Sequence, residues 1–400
     1  MDLISPQPLD EESAMNCVSR LDHALIIAGA PGQGMQSLIQ HLIQRTQAAY
    51  LPRKPKYSPK PAIRPTRSPS AHIPVLSTSS GTIPRLVNPP SLSVFRHELL
   101  NKPFILTGFA SDWPAMNEHP WHSVEYLRSV AGRGRVIPVE VGKDYRTDDW
   151  AQRMMSWDDF LDVLEKGPTH SQTILYMAQH NLLSQFHALR EDILIPDYVY
   201  TSPEAPSTYP FYRPPNNEEG LALNAWLGPP GTVSPAHTVC PILLLDLKTP
   251  FLALAPRIRF STCIVSARVF LFRLGACLWG ALPQADFLEA QVVGRKTVWL
   301  APPTPGVTKA MCPFPPTSVR SETERTRNPA ANLLAPSMTN TAQVDVFSDQ
   351  NKNKFPLFWR DAVPEALSAT LEPGDVLFFP SGWWHAMKSD EMSFSVSIWF

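Results

Sequence analysis

Two histidines in this 400-residue chain sit where β-structure ends, a placement that suits metal ligation. His237 lies in GTVSPAHT, just after the apolar run LALNAWLG, Leu221 to Gly228. His385 lies in LEPGDVLFFPSGWWHAMKS. There Gly374 and Asp375 make a turn, Val376 to Phe379 a buried strand, and Pro380 to Gly382 a second turn. Trp383, Trp384 and His385 then open the next strand, which aims an imidazole into the mouth of a barrel. Neutral imidazole is a favoured ligand for iron, zinc and copper. A lone histidine is more often structural, so it is the pair that points to a metal.

The elements that must carry these residues are short strands with Pro/Gly turns. KPFILTGF, ILYMAQH, LALNAWLG and FSVSIWF read as strands, and AQVVGRKTVWLAPP as strand, turn and strand. Trp121 to Val130 and Trp157 to Leu164 have helical apolar spacing. Residues 302–345, rich in Pro, Ser, Thr and Asn, read as a long loop. Many short strands argue for a barrel or sandwich rather than a parallel sheet. Residues 18–50 read as two helices around GAPGQG. The outer glycines of that turn have phosphate-loop spacing, but Met35 and Gln36 stand where Lys and Ser/Thr are needed, so it is a plain turn.

Composition bounds the rest. A formal net charge of −1 excludes a globally basic nucleic-acid binder. The 43 prolines, nearly 11% of the chain, imply long irregular segments. Residues 51–82 form a Pro-rich basic linker, with six basic and no acidic residues from Pro52 to Ser70. It is a solvated tether or a nuclear-import patch. The acidic, polar start MDLISPQPLDEESAMN has no export signal. Five cysteines without a close pair then read as free thiols in a reducing compartment.

From about Ile83 to Phe400 the chain resembles the JmjC-domain (cupin-like) family of Fe(II)/2-oxoglutarate oxygenases, and within it the branch known as lysine-specific demethylase 8. The resemblance rests on KPFILTGFASDWPA, RVIPVEVGKDYRTDDWAQRMMSWDDFL, LYMAQHNLLSQ, LNAWLGPPGTVSPAHT, QVVGRKTVWLAPP, NTAQVDVF and LEPGDVLFFPSGWWHAMKSDEMSFSVSIW, in family order. It implies a mainly β domain with flanking helices (α+β), a double-stranded β-helix or jelly-roll barrel spanning 83–400. A small helical segment, 1–50, precedes it.

The resemblance also implies Fe(II) held by a His-X-Asp…His triad, with 2-oxoglutarate as co-substrate. His237 and His385 match the two histidines, as catalytic and metal-binding residues. Lys296 matches the lysine that pairs with the far carboxylate of 2-oxoglutarate. Tyr176 and Ser234 match positions that help hold that co-substrate, and Trp226 matches a pocket wall. Taken alone, Lys296 reads as a turn lysine, and Tyr176 and Trp226 as core. The implied partner is a protein or peptide substrate, histones among the candidates, altered by hydroxylation or lysine demethylation. No membrane is implied, nor direct nucleic-acid binding beyond the basic linker, and the nucleus is favoured over the cytoplasm.

The chain departs from the pattern at one place. His237 is followed by Thr238 and Val239, where the family places Asp. Valine cannot ligate a metal. Lys296 lies 59 positions beyond His237, far more than the family spacing. The excess is an apolar block, 239–285, with ten leucines, three cysteines and one acid, Asp246. Arg257, Arg259, Arg268 and Arg273 interrupt it, so it lacks the uncharged length of a membrane span. The preferred reading is a translated intron. Removing 239–285 joins Thr238 to Asp286, restores His-X-Asp in HTDFLEAQVVGRK, and makes Asp286 the carboxylate ligand. A genuine insertion would leave an inactive JmjC-like interaction module. A bulged loop, with Asp286 or Asp246 as ligand, ranks third because long unstructured insertions are uncommon inside domains. A cupin-type metal protein with other chemistry is the remaining class.

Overall fold

The computed structural model describes residues 9–51, 75–147, 150–167, 173–201, 220–238, 286–315, 338–350 and 352–400. The apolar block 239–285 and most of the basic linker lie outside the described residues.

Helix α1 (Glu11–Ala28) and helix α2 (Met35–Tyr50) form the N-terminal pair. α1 starts earlier than its apolar spacing suggests, because Asp10 caps it by accepting from the Ser13 N–H at 2.7 Å. Gly29 ends it at φ +64°, a conformation that favours glycine. Ala14, Cys17, Val18 and Asp22 make the buried stripe of α1, at helical spacing.

That stripe carries a charge inward. Asp22 accepts two hydrogen bonds from Arg135, both at 2.8 Å, and one from the Val136 N–H at 2.9 Å. Neither side chain of this ion pair exceeds 5% exposure. From α2, Gln40 donates to the carbonyls of Ser184 and Gln185, and Gln47 to those of Ala131 and Arg133. The pair is therefore bolted to the β-domain through backbone acceptors as well as through its apolar stripe.

Among the described residues fourteen strands follow: β1 (Gly81–Thr82), β2 (Arg85–Leu86), β3 (Phe104–Leu106), β4 (Val136–Val141), β5 (Ala151–Ser156), β6 (Leu175–His180), β7 (Ala222–Gly228), β8 (Val233–His237), β9 (Phe287–Val293), β10 (Lys296–Ala301), β11 (Leu367–Leu371), β12 (Val376–Phe379), β13 (Trp384–Ser389) and β14 (Ser393–Trp399). Five make a sheet in the order β1-β11-β10-β13-β8, and nine make a second in the order β2-β3-β12-β9-β14-β7-β6-β4-β5. Pairing is antiparallel except for β1 with β11 and β2 with β3. This is the mostly β sandwich with helices that the sequence predicts.

Alternation explains what each face of the large sheet does. Leu223, Ala225, Leu227, Leu288, Ala290, Val292, Phe394, Val396 and Ile398 belong to one apolar core, with Leu127, Phe160 and Leu161 from the flanking helices Val124–Ala131 and Trp157–Lys166 and Trp121 from the turn before the first of them. The residues between them, Asn224, Trp226, Phe287, Glu289, Gln291, Ser393, Ser395, Ser397 and Trp399, take the opposite face. A strand buried on both faces ordinarily reads as continuously apolar. Here one buried face is polar and aromatic: Phe287 and Trp399 join a second apolar core with Val298, Leu300 and Phe379, while Asn224, Glu289, Gln291 and the serines put polar groups beside it.

The described part of 302–345 is not all loop. Residues Pro305–Ala310 form a helix capped by Thr304, and Thr341 and Ala342 bridge His237 and Pro313. Pro305 at the first helical turn and the Thr304 cap are the local cause. β9 also begins at Phe287, three residues before the strand expected from AQVVGRK.

Candidate active site

His237 ends β8 and His385 is the second residue of β13. The two strands pair antiparallel with these histidines directly opposite. Their ring centroids are 4.2 Å apart. A register shift follows between His385 and Met387, so the ladder is irregular where the rings meet.

Each imidazole is fixed by the backbone two residues before it. Nδ1 of His237 lies 2.8 Å from the Pro235 carbonyl, and Nδ1 of His385 lies 3.0 Å from the Trp383 carbonyl. A carbonyl only accepts, so Nδ1 carries the proton in both rings and Nε2 keeps its lone pair. This second contact orients metal-ligating histidines generally. Burial lowers the pKa of His237, and burial followed by the neighbouring His237 lowers that of His385 well below the ordinary value. Both rings are therefore neutral at neutral pH. Phe287 and Phe379 wall His385, with ring centroids at 5.9 and 4.8 Å.

Asp286 does not join them. Its Oδ1 accepts from the Ser381 N–H at 3.0 Å, and its backbone pairs both ways with Phe400, at 3.0 and 3.2 Å. Burial, partly offset by the Ser381 N–H, pushes its carboxyl up to about 7. Among the described residues no three His, Cys, Asp or Glu side chains gather into a group able to hold a metal. Two neutral imidazoles, their planes tilted by 52° with centroids 4.2 Å apart, offer two arms of a metal. The described residues do not supply the third. Val239 and Asp246 lie outside them.

Lys296 opens β10, and its side chain is 2% exposed. Its Nζ donates to Glu289 Oε1 at 3.0 Å and to the Ser395 hydroxyl at 2.5 Å. Ser395 in turn donates to the same Glu289 oxygen at 2.6 Å. The other oxygen, Glu289 Oε2, is buried and has no hydrogen-bond partner among the described residues, and the same is true of Asn224 Nδ2. Glu289, Ser397 and Asn224 stand in one cross-strand row. Unsatisfied buried polar atoms are rare in folded proteins, and two in one row set this stretch apart from the apolar core.

Tyr176 on β6 is hydrogen-bonded to Ser234 on β8, and burial raises its phenol far above its ordinary value. It stays protonated, a neutral buried group beside Ser234. Its ring lies 6.1 Å from that of Trp226, whose indole N–H donates to Ser397 at 3.0 Å. Gly228 makes the room for it. A Cβ there would come within 2.7 Å of the Tyr176 ring and 2.8 Å of Thr232 Cγ2. Beside Tyr176 in the β4–β6 ladder is Glu140, whose carboxyl burial pushes up to about 7.

The structure thus gathers His237 with His385, and Tyr176 with Ser234 and Trp226. It ties Lys296 to Glu289 and turns Asp286 onto Ser381. Glu289, Ser395, Asn224 and Glu140 were not legible as pocket residues in the sequence. The available signal was a Glu in the middle of DFLEAQVV, a strand otherwise free of charge after Asp286.

No helix among the described residues is long and apolar enough to cross a membrane. Cys17 and Cys312 are free thiols.

Comparison with known proteins agrees with this architecture. The model of the cupin-like domain family matches residues 91–239 and 284–400. It passes over 240–283, inside the apolar block. The lysine-specific demethylase 8 of Danio rerio is 31% identical over 397 residues, 99% of this chain and 76% of that protein. That of Xenopus tropicalis is 33% identical over 348 residues, 86% of this chain and 58% of that protein. The Jumonji C domain-containing protein 5 of Drosophila melanogaster is 31% identical over 340 residues, 83% of this chain and 64% of that protein. The chain thus spans less than two thirds of the length of the last two relatives. With matches on both sides of the block and a relative aligned over nearly its whole length, the chain belongs to the cupin-like JmjC domain family.

Proposed function

We propose that this chain is a JmjC-type oxygenase acting on protein side chains, by hydroxylation or by lysine demethylation, with Fe(II) and 2-oxoglutarate. The observation that supports this reading is the His237–His385 pair, two neutral imidazoles with Nδ1 protonated on backbone carbonyls and rings 4.2 Å apart. In the reading, the Nε2 atoms of both rings hold the metal. Lys296, Tyr176 and Ser234 hold the co-substrate. Iron supplies, with 2-oxoglutarate and dioxygen, the power to oxidise an unactivated C–H bond. The chain's part is to fix the rings, to keep Tyr176 protonated and to wall His385 with Phe287 and Phe379 against water. The demethylase names of its relatives support the reaction class, and the basic stretch 52–70 supports a nuclear site of action.

A second reading has its own observation. Asp286 is engaged with Ser381 rather than with the histidines, and Val239 stands at the family's Asp position. That favours a chain whose carboxylate arm is lost and which serves as a JmjC-like protein-interaction module.

Two measurements made together separate them. The mature transcript is sequenced across the codons for Ala236 to Lys296, and the encoded protein is assayed for succinate release from 2-oxoglutarate with Fe(II). A transcript lacking 239–285, whose product releases succinate, sustains the oxygenase. A transcript that keeps the block, whose product is silent, sustains the interaction module and sinks the first reading.

A further inference from the structure

The pocket's ammonium already has a carboxylate. Lys296, Glu289 and Ser395 form a closed triad in which Glu289 Oε1 accepts from both partners, and all three are at most 2% exposed. The pair bridges the two sheets, since Glu289 lies on β9 and Lys296 on β10. Glu289 Oε2 has no hydrogen-bond partner among the described residues and shares its cross-strand row with Asn224 and Ser397.

We propose that Glu289 is an internal competitor for Lys296, and so the residue that sets which 2-oxo acids this pocket accepts. The inference rests on the reading that the Lys296 pocket takes a 2-oxo acid. A ligand carboxylate arriving at Nζ meets a cation that Glu289 Oε1 already holds, with Glu289 Oε2 beside it. Two carboxylates sharing one buried ammonium repel each other, and the displaced Glu289 would keep a charge without a partner. A free lysine at this position would reward a second carboxylate on the ligand with a charge-assisted hydrogen bond. The paired lysine does not. Glu289 thereby erases the preference for a dicarboxylate over a 2-oxo acid with an uncharged far end.

The test is calorimetric titration of the full chain, in the presence of Mn(II), with 2-oxoglutarate and with 2-oxopentanoate, which lacks the far carboxylate. The wild-type chain is expected to bind 2-oxoglutarate less than about tenfold more tightly than 2-oxopentanoate. Glu289→Gln, which keeps the shape and removes the charge, is expected to bind 2-oxoglutarate at least about tenfold more tightly than wild type and to prefer it over 2-oxopentanoate by a similar factor. Glu289→Leu serves if the glutamine variant fails to fold. A wild-type preference for 2-oxoglutarate of tenfold or more overturns the proposal and leaves the 2-oxo acid reading standing. So does a folded variant that discriminates no better than wild type. Failure of both ligands to bind either protein overturns the proposal and that reading together.

Discussion

His237 and His385 face each other across the β8–β13 ladder, ring centroids 4.2 Å apart, each ring held by the carbonyl two residues before it. Neither ring can be replaced by its neighbour, because each points from its own strand. Loss of either imidazole is expected to weaken Mn(II) or Co(II) binding by more than about 100-fold. Titration of His237→Ala and His385→Ala by calorimetry checks this. A single variant that keeps wild-type affinity shows that its histidine is not a ligand.

The same burial makes the metal-free fold sensitive to acid. The pKa values of His237, His385 and His180 are all lowered, His180 to about 4, with desolvation the largest cause in each. Below the ordinary histidine pKa of about 6.5 the unfolded chain takes up protons that the folded chain refuses, so the histidines remove stability as pH falls. Their contribution is expected to lower the urea midpoint below that pH, and His180→Gln to reduce the loss. An identical acid limb in that variant refutes the contribution of His180.

Asp286 works with the opposite sign. Its folded carboxyl is pushed up to about 7 from 3.8, so the folded chain binds the proton more tightly than the unfolded one. Stability from this group is present below 3.8 and is lost as pH rises to about 7. Asp286→Asn keeps an acceptor for the Ser381 N–H and removes the buried charge. It is expected to be more stable than wild type at about pH 8, by on the order of 3 kcal/mol, and equal to it at about pH 4. Denaturant midpoints at the two pH values measure this, and a variant less stable at the higher pH contradicts it.

The Asp22–Arg135 pair anchors the N-terminal helices to β4. Breaking it leaves an uncompensated buried charge, which costs about 3–5 kcal/mol. Asp22→Ala and Arg135→Ala are each expected to lower the unfolding free energy by that amount. The double variant should lose less than the sum of the two. Additive losses would show that the pair is not coupled.

Gly228→Ala tests the seat of Tyr176. The new methyl meets the Tyr176 ring at 2.7 Å and Thr232 at 2.8 Å, inside a packed wall. A loss of about 1–3 kcal/mol is expected, seen as a lower melting temperature. An unchanged melting temperature means that the ring moves aside freely.

The sequence by itself determined what is covalent and local. Alternation along LALNAWLG and FSVSIWF, the turn PSGWWH and the Gly-Arg-Lys turn place β7, β14, β13 and β10 where they are found. The order of its motifs fixed the family, because residue type and spacing are all that a family pattern needs. The tertiary structure decided where side chains point across sheets. Asp286 follows Thr238 once 239–285 is removed from the text, yet pairing of its backbone with Phe400 sends its carboxylate to Ser381. Lys296 taken alone reads as a surface lysine in its turn, yet the folding of β9 and β10 into opposite sheets lays it on Glu289. Such contacts join residues through strand register set far away in the chain, and a long-range register is not written in any one segment.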